Sequence, residues 1–371
     1  MPAVFTGNGY REVVSPNARA GDFSELPMID LKYASSPNLQ DRLKVAEQLC
    51  DACTRIGFFY IKNTTMPDEI RKGAFAAAKK YFELPFETKM ENHINKNPAF
   101  FGYTGMYDEN PDATKKGDLH ECFDINYQAS ADYLDHPREK VQEMLASGEI
   151  WPSVWPGGIA EDDFRKPLEA YQREILRIGR TLVRLFALAL NMPEDFFDDK
   201  FTVPGLMLRV LLYPPQDHKP KEDHVGIGAH TDYDVLTILA QDEHNALQVL
   251  NRNGEWIQAP PIPGTFVVNI CDLMARWTND VFVSTVHRVI NENKTDRYSI
   301  PCFFGVNYKT IVEALPTCCS EKNPQKWPAV QAGEYILQRL RESYPNREMA
   351  WSQNGAIKVA PDVEEPEILV A

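Results

Sequence analysis

The chain has 371 residues, 43% hydrophobic and 25% charged, enough for one large globular unit or two small ones around a buried core. Its net charge of −14 argues against nucleic acid or an anionic membrane as a partner, and an anionic small molecule would need a locally placed Arg or Lys. No apolar run reaches the roughly 18 residues of a membrane span. Seven scattered cysteines without a leader-like segment fit reduced thiols, so the expectation is a cytoplasmic protein.

In chain order, LPMIDL (Leu26 to Leu31) reads as a short strand. Leu39 to Gly57 has helical spacing and stops at Gly57; FFYI then reads as a strand. Cys50 and Cys53 form a CxxC on that helix with no second pair nearby, weak grounds for a metal or redox role. MPDEIRKGAFAAAKKYFELP predicts a second helix between Pro67 and Pro85. Residues 91–118 read as loop, and Gly102 to Asp112 within them is either a lid over a site or plain surface. HECFDINY (His120 to Tyr127) alternates like a strand; residues 128–160 read as irregular.

The longest predicted helix is Asp163 to Leu190. Its stripe of Phe164, Leu168, Tyr171, Ile175, Ile178, Leu182 and Leu185 is suited to packing on a sheet or another helix. From Leu206 to Val306 the pattern changes to short β-branched and aromatic runs separated by turns, as in a sandwich or jelly roll. Asn253-Gly254 marks a hairpin within it. Ala332 to Pro345 returns to helix. The expected organisation is an N-terminal α/β region (1–160), a long packing helix (161–200), a β core (204–310) and a C-terminal helical region with a tail (311–371).

His230 and Asp232 stand two apart before an apolar run. On a strand, such residues share a face with Cα atoms about 6.6 Å apart and can converge on one ion. Asp234 lies on the same face, but at roughly 13 Å from His230 it is too far to share that ion. HxD alone is common by chance. His287, at the end of another β run, is the natural third ligand, and two imidazoles with one carboxylate make a facial triad that leaves coordination positions open. Arg297 and Ser299, two apart in DRYSI, place a guanidinium beside a hydroxyl, a pair suited to a carboxylate, and Tyr213 adds a phenol. An arginine taken alone is more often a surface charge; its place in the same β segment as His287 favours the site.

The order of these motifs resembles the isopenicillin N synthase-like family of Fe(II)/2-oxoglutarate dioxygenases. PMIDL, CTRIGFFYIKN and YFELPFETK are similar to its N-terminal region. LRVLLYPP, GIGAHTDYDVLTILAQD, LQVLNRNGEWIQAPPIPGTFVVNICD, RWTND, STVHRV and RYSIPCFF are similar to its catalytic core. The resemblance implies an α+β fold with a mainly β core, a double-stranded β-helix (jelly roll) flanked by helices. It implies iron on His230, Asp232 and His287, and 2-oxoglutarate held by Arg297 and Ser299 with Tyr213 assisting. Dioxygen is the further co-substrate and ascorbate an optional reductant. The reaction implied is hydroxylation, desaturation or cyclisation of a small organic molecule, in a setting such as secondary metabolism, with release of succinate and carbon dioxide. Neutral imidazoles are needed, so activity should fall below about pH 6.5.

Phe123, Ile125, Tyr233, Phe303 and Phe304 are candidate substrate contacts, and Arg209 is a candidate partner for an anionic substrate group. Each aromatic is as readily a core residue. The sequence departs from the family pattern at Leu211, Cys271, Asn245-Ala246 and the NTT after the first strands, none of them a ligand. Three alternatives stay open: an ethylene- and succinate-forming enzyme, an Fe(II) oxidase that does not use 2-oxoglutarate, and a binding protein with a vestigial site. The partner expected is a small-molecule substrate; no protein partner is evident.

Overall fold

The structure is a computed structural model. It describes residues 3–6, 9–12, 18–19, 26–96, 101–109, 117–134, 136–147, 150–151, 153–216, 225–343, 349–351 and 357–359. Strands β1 (Ala3–Thr6) and β2 (Gly9–Glu12) pair with each other, and β3 is Ala18–Arg19. Then come β4 (Met28–Asp30), β5 (Phe58–Lys62), β6 (Gly102–Thr104), β7 (Glu121–Asn126) and β8 (Leu206–Tyr213). Next are β9 (Ile227–His230), β10 (Leu236–Gln241), β11 (Leu247–Leu250) and β12 (Trp256–Gln258). β13 (Phe266–Ile270), β14 (His287–Val289) and β15 (Arg297–Phe304) complete the core. The helices are α1 (Leu39–Arg55), α2 (Asp68–Phe82), α3 (Phe86–Met90), α4 (Arg138–Ala146), α5 (Arg165–Ala189), α6 (Asp272–Trp277) and α7 (Ala332–Ser343).

A large sheet runs in the order β4-β5-β13-β10-β15-β8-β7-β6, and a smaller one in the order β3-β12-β11-β14-β9. Pairing is antiparallel except at β4–β5 and β12–β3. The N-terminal strands β4 to β7 therefore extend both edges of the same sheet that β8, β10, β13 and β15 build. The central strands of the large sheet are covered on both faces, which is why runs such as LMLRVLLY read as nearly continuous apolar sequence. Leu208, Val210 and Leu212 point to one face and Met207, Arg209, Leu211 and Tyr213 to the other. The first face packs under the helices. α5 buries Leu168, Tyr171, Ile175, Ile178, Leu182 and Leu185, the stripe expected from its spacing, and α1 buries Val45, Leu49, Ala52 and Cys53. The second face meets the small sheet through Phe58, Leu211, Tyr213, Leu247, Val249 and Val289.

Local signals set the ends. Asn38 caps α1 by accepting from the Gln40 N–H at 3.0 Å. Gly57 ends the helix with φ +74°; a Cβ there would lie 2.1 Å from the Val283 carbonyl oxygen, so no other residue fits the turn. Gly254, at φ +76°, closes the β11–β12 hairpin. Two stretches expected to be irregular hold structure: β6 within 91–118 and α4 within 128–160. β6 is only three residues and gains its partner from distant β7, which a local pattern cannot reveal. Among the described residues no helix is long and apolar enough to cross a membrane, and all seven cysteines are free thiols.

Candidate active site

The two sheets enclose a cavity of about 170 Å³. His230 ends β9 and His287 begins β14, and the two residues are register partners. Their rings lie 4.2 Å apart, centroid to centroid. Asp232 stands just beyond the end of β9, so irregular backbone rather than strand alternation brings its carboxylate inward. Its Oδ1 is 3.5 Å from His230 Nε2 and 3.6 Å from His287 Nε2. One ligand atom from each residue falls within 4.8 Å of the others, a separation that suits one shared ion.

The atoms behind the triad fix its orientation. His230 Nδ1 bonds the Gly228 carbonyl at 2.8 Å and His287 Nδ1 bonds the Thr285 carbonyl at 3.2 Å. A carbonyl can only accept, so both protons sit on Nδ1 and both Nε2 lone pairs face inward. Asp232 Oδ2 accepts from Thr237 Oγ1 at 2.5 Å and from Asn269 Nδ2 at 2.8 Å, which leaves Oδ1 for the imidazoles. Burial opposes the Asp232 charge, but the two histidines outweigh it and hold the carboxyl below its usual range. Burial, and then His230, push His287 down to about 4. His230 is raised despite burial, because it bonds Asp232. Neutral imidazole at His287 and ionised carboxylate at Asp232 are the forms a metal requires.

Along β15, Arg297, Ser299, Pro301 and Phe303 all face the cavity. Arg297 pairs in register with Tyr213 of β8, and Ser299 with Gln241 of β10. The guanidinium is 1% exposed and lies 4.8 Å from the Tyr213 ring centroid. Its Nη2 donates to Gln241 Oε1 at 3.0 Å and its Nε to the His244 carbonyl at 3.3 Å. Nη1 is buried with no hydrogen-bond partner, and no carboxylate among the described residues pairs with the group. A buried cation with an orphaned donor beside a hydroxyl and a phenol fits a carboxylate from outside the chain.

Two family profiles match the chain: one described as non-haem dioxygenase in morphine synthesis N-terminal, over residues 26–156, and one described as 2OG-Fe(II) oxygenase superfamily, over 204–306. A 2-oxoglutarate-Fe(II) type oxidoreductase of Metarhizium majus, ppzC, is 34% identical over 345 residues, 90% of this chain and 92% of that one. The chain belongs to the 2-oxoglutarate- and Fe(II)-dependent oxygenase family. A homoarginine-6-hydroxylase of Glycine max is also 34% identical, over 88% of this chain and 99% of that one. The crystal structure of a full-length Neurospora crassa protein in complex with alpha-KG and thymine is similar at a TM-score of 0.72 and 28% identity, covering 86% of this chain and 97% of that one. This oxygenase thus uses Fe(II), 2-oxoglutarate and dioxygen.

Of the expected substrate contacts, Tyr233, Phe303 and Arg209 line the oxygenase cavity. Phe123, Ile125 and Phe304 do not. The cavity face of β7 carries Asp124, whose register partner is Arg209, so alternation sends Phe123 and Ile125 to the helix side. There Phe123 packs on Tyr81 and Phe164. Phe304 likewise leaves β15 on the helix side and stacks on Phe201 at 5.4 Å. Arg209 is not available to a substrate anion. Asp124 clamps it at 2.7 and 2.9 Å, and Glu109 binds its Nη1 at 2.8 Å. Glu109 belongs to the segment expected as loop or lid; Gly102–Thr104 pairs with β7, and residues 110–112 lie outside the described set.

Several residues of this cavity escaped sequence reasoning. Thr237 and Asn269 are hidden in apolar strands, and only the β10–β13 register aligns them. Phe101, Trp151 and Tyr308 come from irregular segments. Asp118 lines the cavity and accepts from the Gly228 N–H at 2.9 Å; burial pushes its carboxyl up to about 6. Asp234 also lines it, and its Oδ1 is shut from solvent with no hydrogen-bond partner. Burial, then the Asp232 charge, push the Asp234 carboxyl up to about 8.

Proposed function

We propose that His230, Asp232 and His287 hold the iron, and that Arg297, with Ser299 and Tyr213, holds the distal carboxylate of 2-oxoglutarate. The two facing sheets are then the two halves of a double-stranded β-helix, flanked by α1, α2 and α5. The single observation that carries the co-substrate assignment is Arg297 Nη1, a buried donor without a partner in the cavity that the triad also lines. Bound there, iron and 2-oxoglutarate would together activate dioxygen and oxidise a substrate C–H bond with release of succinate and carbon dioxide.

The chain's own part is positional. Gly228 and Thr285 carbonyls aim the imidazoles, Thr237 and Asn269 aim the carboxylate, and Gln241 holds the Arg297 fork. Leu211, Leu239, Leu247 and Val289 keep water from that end. The substrate would lie beside Phe303, Tyr233 and Met207, which line the cavity. A homoarginine hydroxylase and a thymine-bound structure among the relatives support a small organic substrate. The seven free thiols favour a reducing compartment such as the cytoplasm. A metabolite screen scored by succinate release tests the reading. Release that needs Fe(II), 2-oxoglutarate and a particular substrate supports it. Ethylene in the headspace assigns the chain to the ethylene-forming alternative, and substrate oxidation without 2-oxoglutarate overturns the co-substrate assignment.

A further inference from the structure

We propose that Asp234 selects the substrate, and that the substrate presents a cationic nitrogen to it, an ammonium or a guanidinium. The inference rests on the oxygenase reading of the same cavity and adds the chemistry of its far wall. Position along β15 sets the arrangement. Arg297 and Ser299 begin the strand. Phe303 lies at the level of Thr237, which bonds the Asp232 carboxylate. Asp234 lies beyond, against Gly305. At about 3.3 Å per residue, Asp234 and Arg297 sit at opposite ends of the strand with the triad between them.

The glycine matters. A Cβ at Gly305 would lie 2.5 Å from Asp234 Oδ1 and 2.8 Å from the Gly205 carbonyl oxygen. The carboxyl therefore occupies space that a side chain would fill. Nothing in the described protein bonds it: its side chain has no hydrogen bond or ion pair, and Oδ1 is shut from water. A carboxylate that held the fold together would be paired, as Asp232 and Asp272 are. Nearby cations are engaged elsewhere. Arg209 is held by Asp124 and Glu109, and Arg339 binds Glu342 while lying 4.6 Å from the Tyr233 ring centroid. Around Asp234 the cavity offers Tyr233, Phe303 and Tyr308. Aromatic faces attract a cation, and a carboxylate completes its neutralisation. A neutral or anionic substrate would leave the acid desolvated and unpaired.

Two probe pairs of matched shape test this: benzamidine against benzamide, and butylguanidine against butylurea. Each is titrated calorimetrically into the full chain loaded with Fe(II) and 2-oxoglutarate without oxygen. The visible band of the loaded iron site is recorded first. The expected result is that at least one cation binds roughly tenfold or more tightly than its neutral partner, since a charged hydrogen bond is at stake. Asp234→Asn should erase that preference while forming the same band, with a Tm unchanged or higher because no internal partner is lost. Equal binding of cation and neutral in both pairs overturns the inference, as does a preference that survives in Asp234→Asn. If the wild-type band fails to form, the cofactor assignment fails and this inference with it, an outcome distinct from a band that forms without cation preference.

Discussion

Thr237 and Asn269 face each other across β10 and β13, and both donate to the same oxygen of Asp232, at 2.5 and 2.8 Å. Neither is a ligand. Together they fix which carboxylate oxygen is left for the imidazoles. Losing such an outer partner usually costs about 10- to 100-fold in metal affinity. Asn269→Ala and Thr237→Val should each raise the Fe(II) dissociation constant within that range, measured by anaerobic titration, while the circular dichroism spectrum stays unchanged. Unaltered affinity in both would show that the carboxylate is oriented by something else.

Arg297→Ala should weaken 2-oxoglutarate far more than iron. A buried, charge-assisted pair is at stake, so the 2-oxoglutarate requirement should rise by roughly a hundredfold. Arg297→Lys should recover only part of this, because a point charge cannot replace the two-pronged guanidinium held by Gln241. Titrating the visible band with 2-oxoglutarate at fixed Fe(II) reads both constants. An unchanged requirement in the alanine variant would remove Arg297 from the site.

Metal binding should depend on pH through His230. Its raised pKa keeps a proton on the ring to higher pH than free imidazole, and iron must displace that proton. His287, pushed down to about 4, is already neutral. As pH is lowered, the Fe(II) dissociation constant should therefore begin to rise while the pH is still above 6.5, and climb by up to about tenfold per pH unit from that onset downward. The sequence alone suggested an onset near the ordinary imidazole value; the Asp232 carboxylate moves it upward. Titrations between pH 6 and 8 decide, and a flat profile would contradict the assignment.

Asp132 sets part of the acid limit of stability. Arg180 grips it with two bonds of 2.7 Å, Tyr127 Oη donates at 2.7 Å and the Leu134 N–H at 3.0 Å. Burial opposes the charge, but the Arg180 bonds prevail and the carboxyl is held below its usual range. The native state then binds the proton less tightly than the unfolded chain. This stability is present above about pH 4 and is lost as pH falls through the lowered native value. Asp132→Asn should cost about 3 kcal/mol at pH 7 and less at pH 3, where the unfolded chain already takes up the proton. Urea unfolding at both values measures it, and an equal cost at both would refute the linkage.

Much of this was legible in the sequence for physical reasons. The α5 stripe repeats with the period of a helix, and nothing long-range is needed to read it. His230, Asp232, His287, Arg297 and Ser299 stand in motif order, and the fold brings all five to one cavity. Parity was harder. Phe123 and Ile125 were expected to face the cavity, but strands buried on both faces carry apolar residues on each side, so composition does not reveal which face is which. The Asp124–Arg209 register settles it. Asp232 was expected on a strand and stands in the irregular backbone just past β9; the spacing of two sufficed either way. Asp234 was judged too far from His230 to share its ion, and its place on the cavity wall depends on the missing side chain of Gly305, distant from it in sequence.

Crystals grown anaerobically with Fe(II) and 2-oxoglutarate, with data collected across the iron edge, test the central assignment most directly. The expected result is a single anomalous peak roughly 2.0–2.2 Å from His230 Nε2, His287 Nε2 and an Asp232 carboxylate oxygen, with Arg297 on the 2-oxoglutarate carboxylate. Iron bound elsewhere, or bound with His287 turned away from the other two, would contradict it.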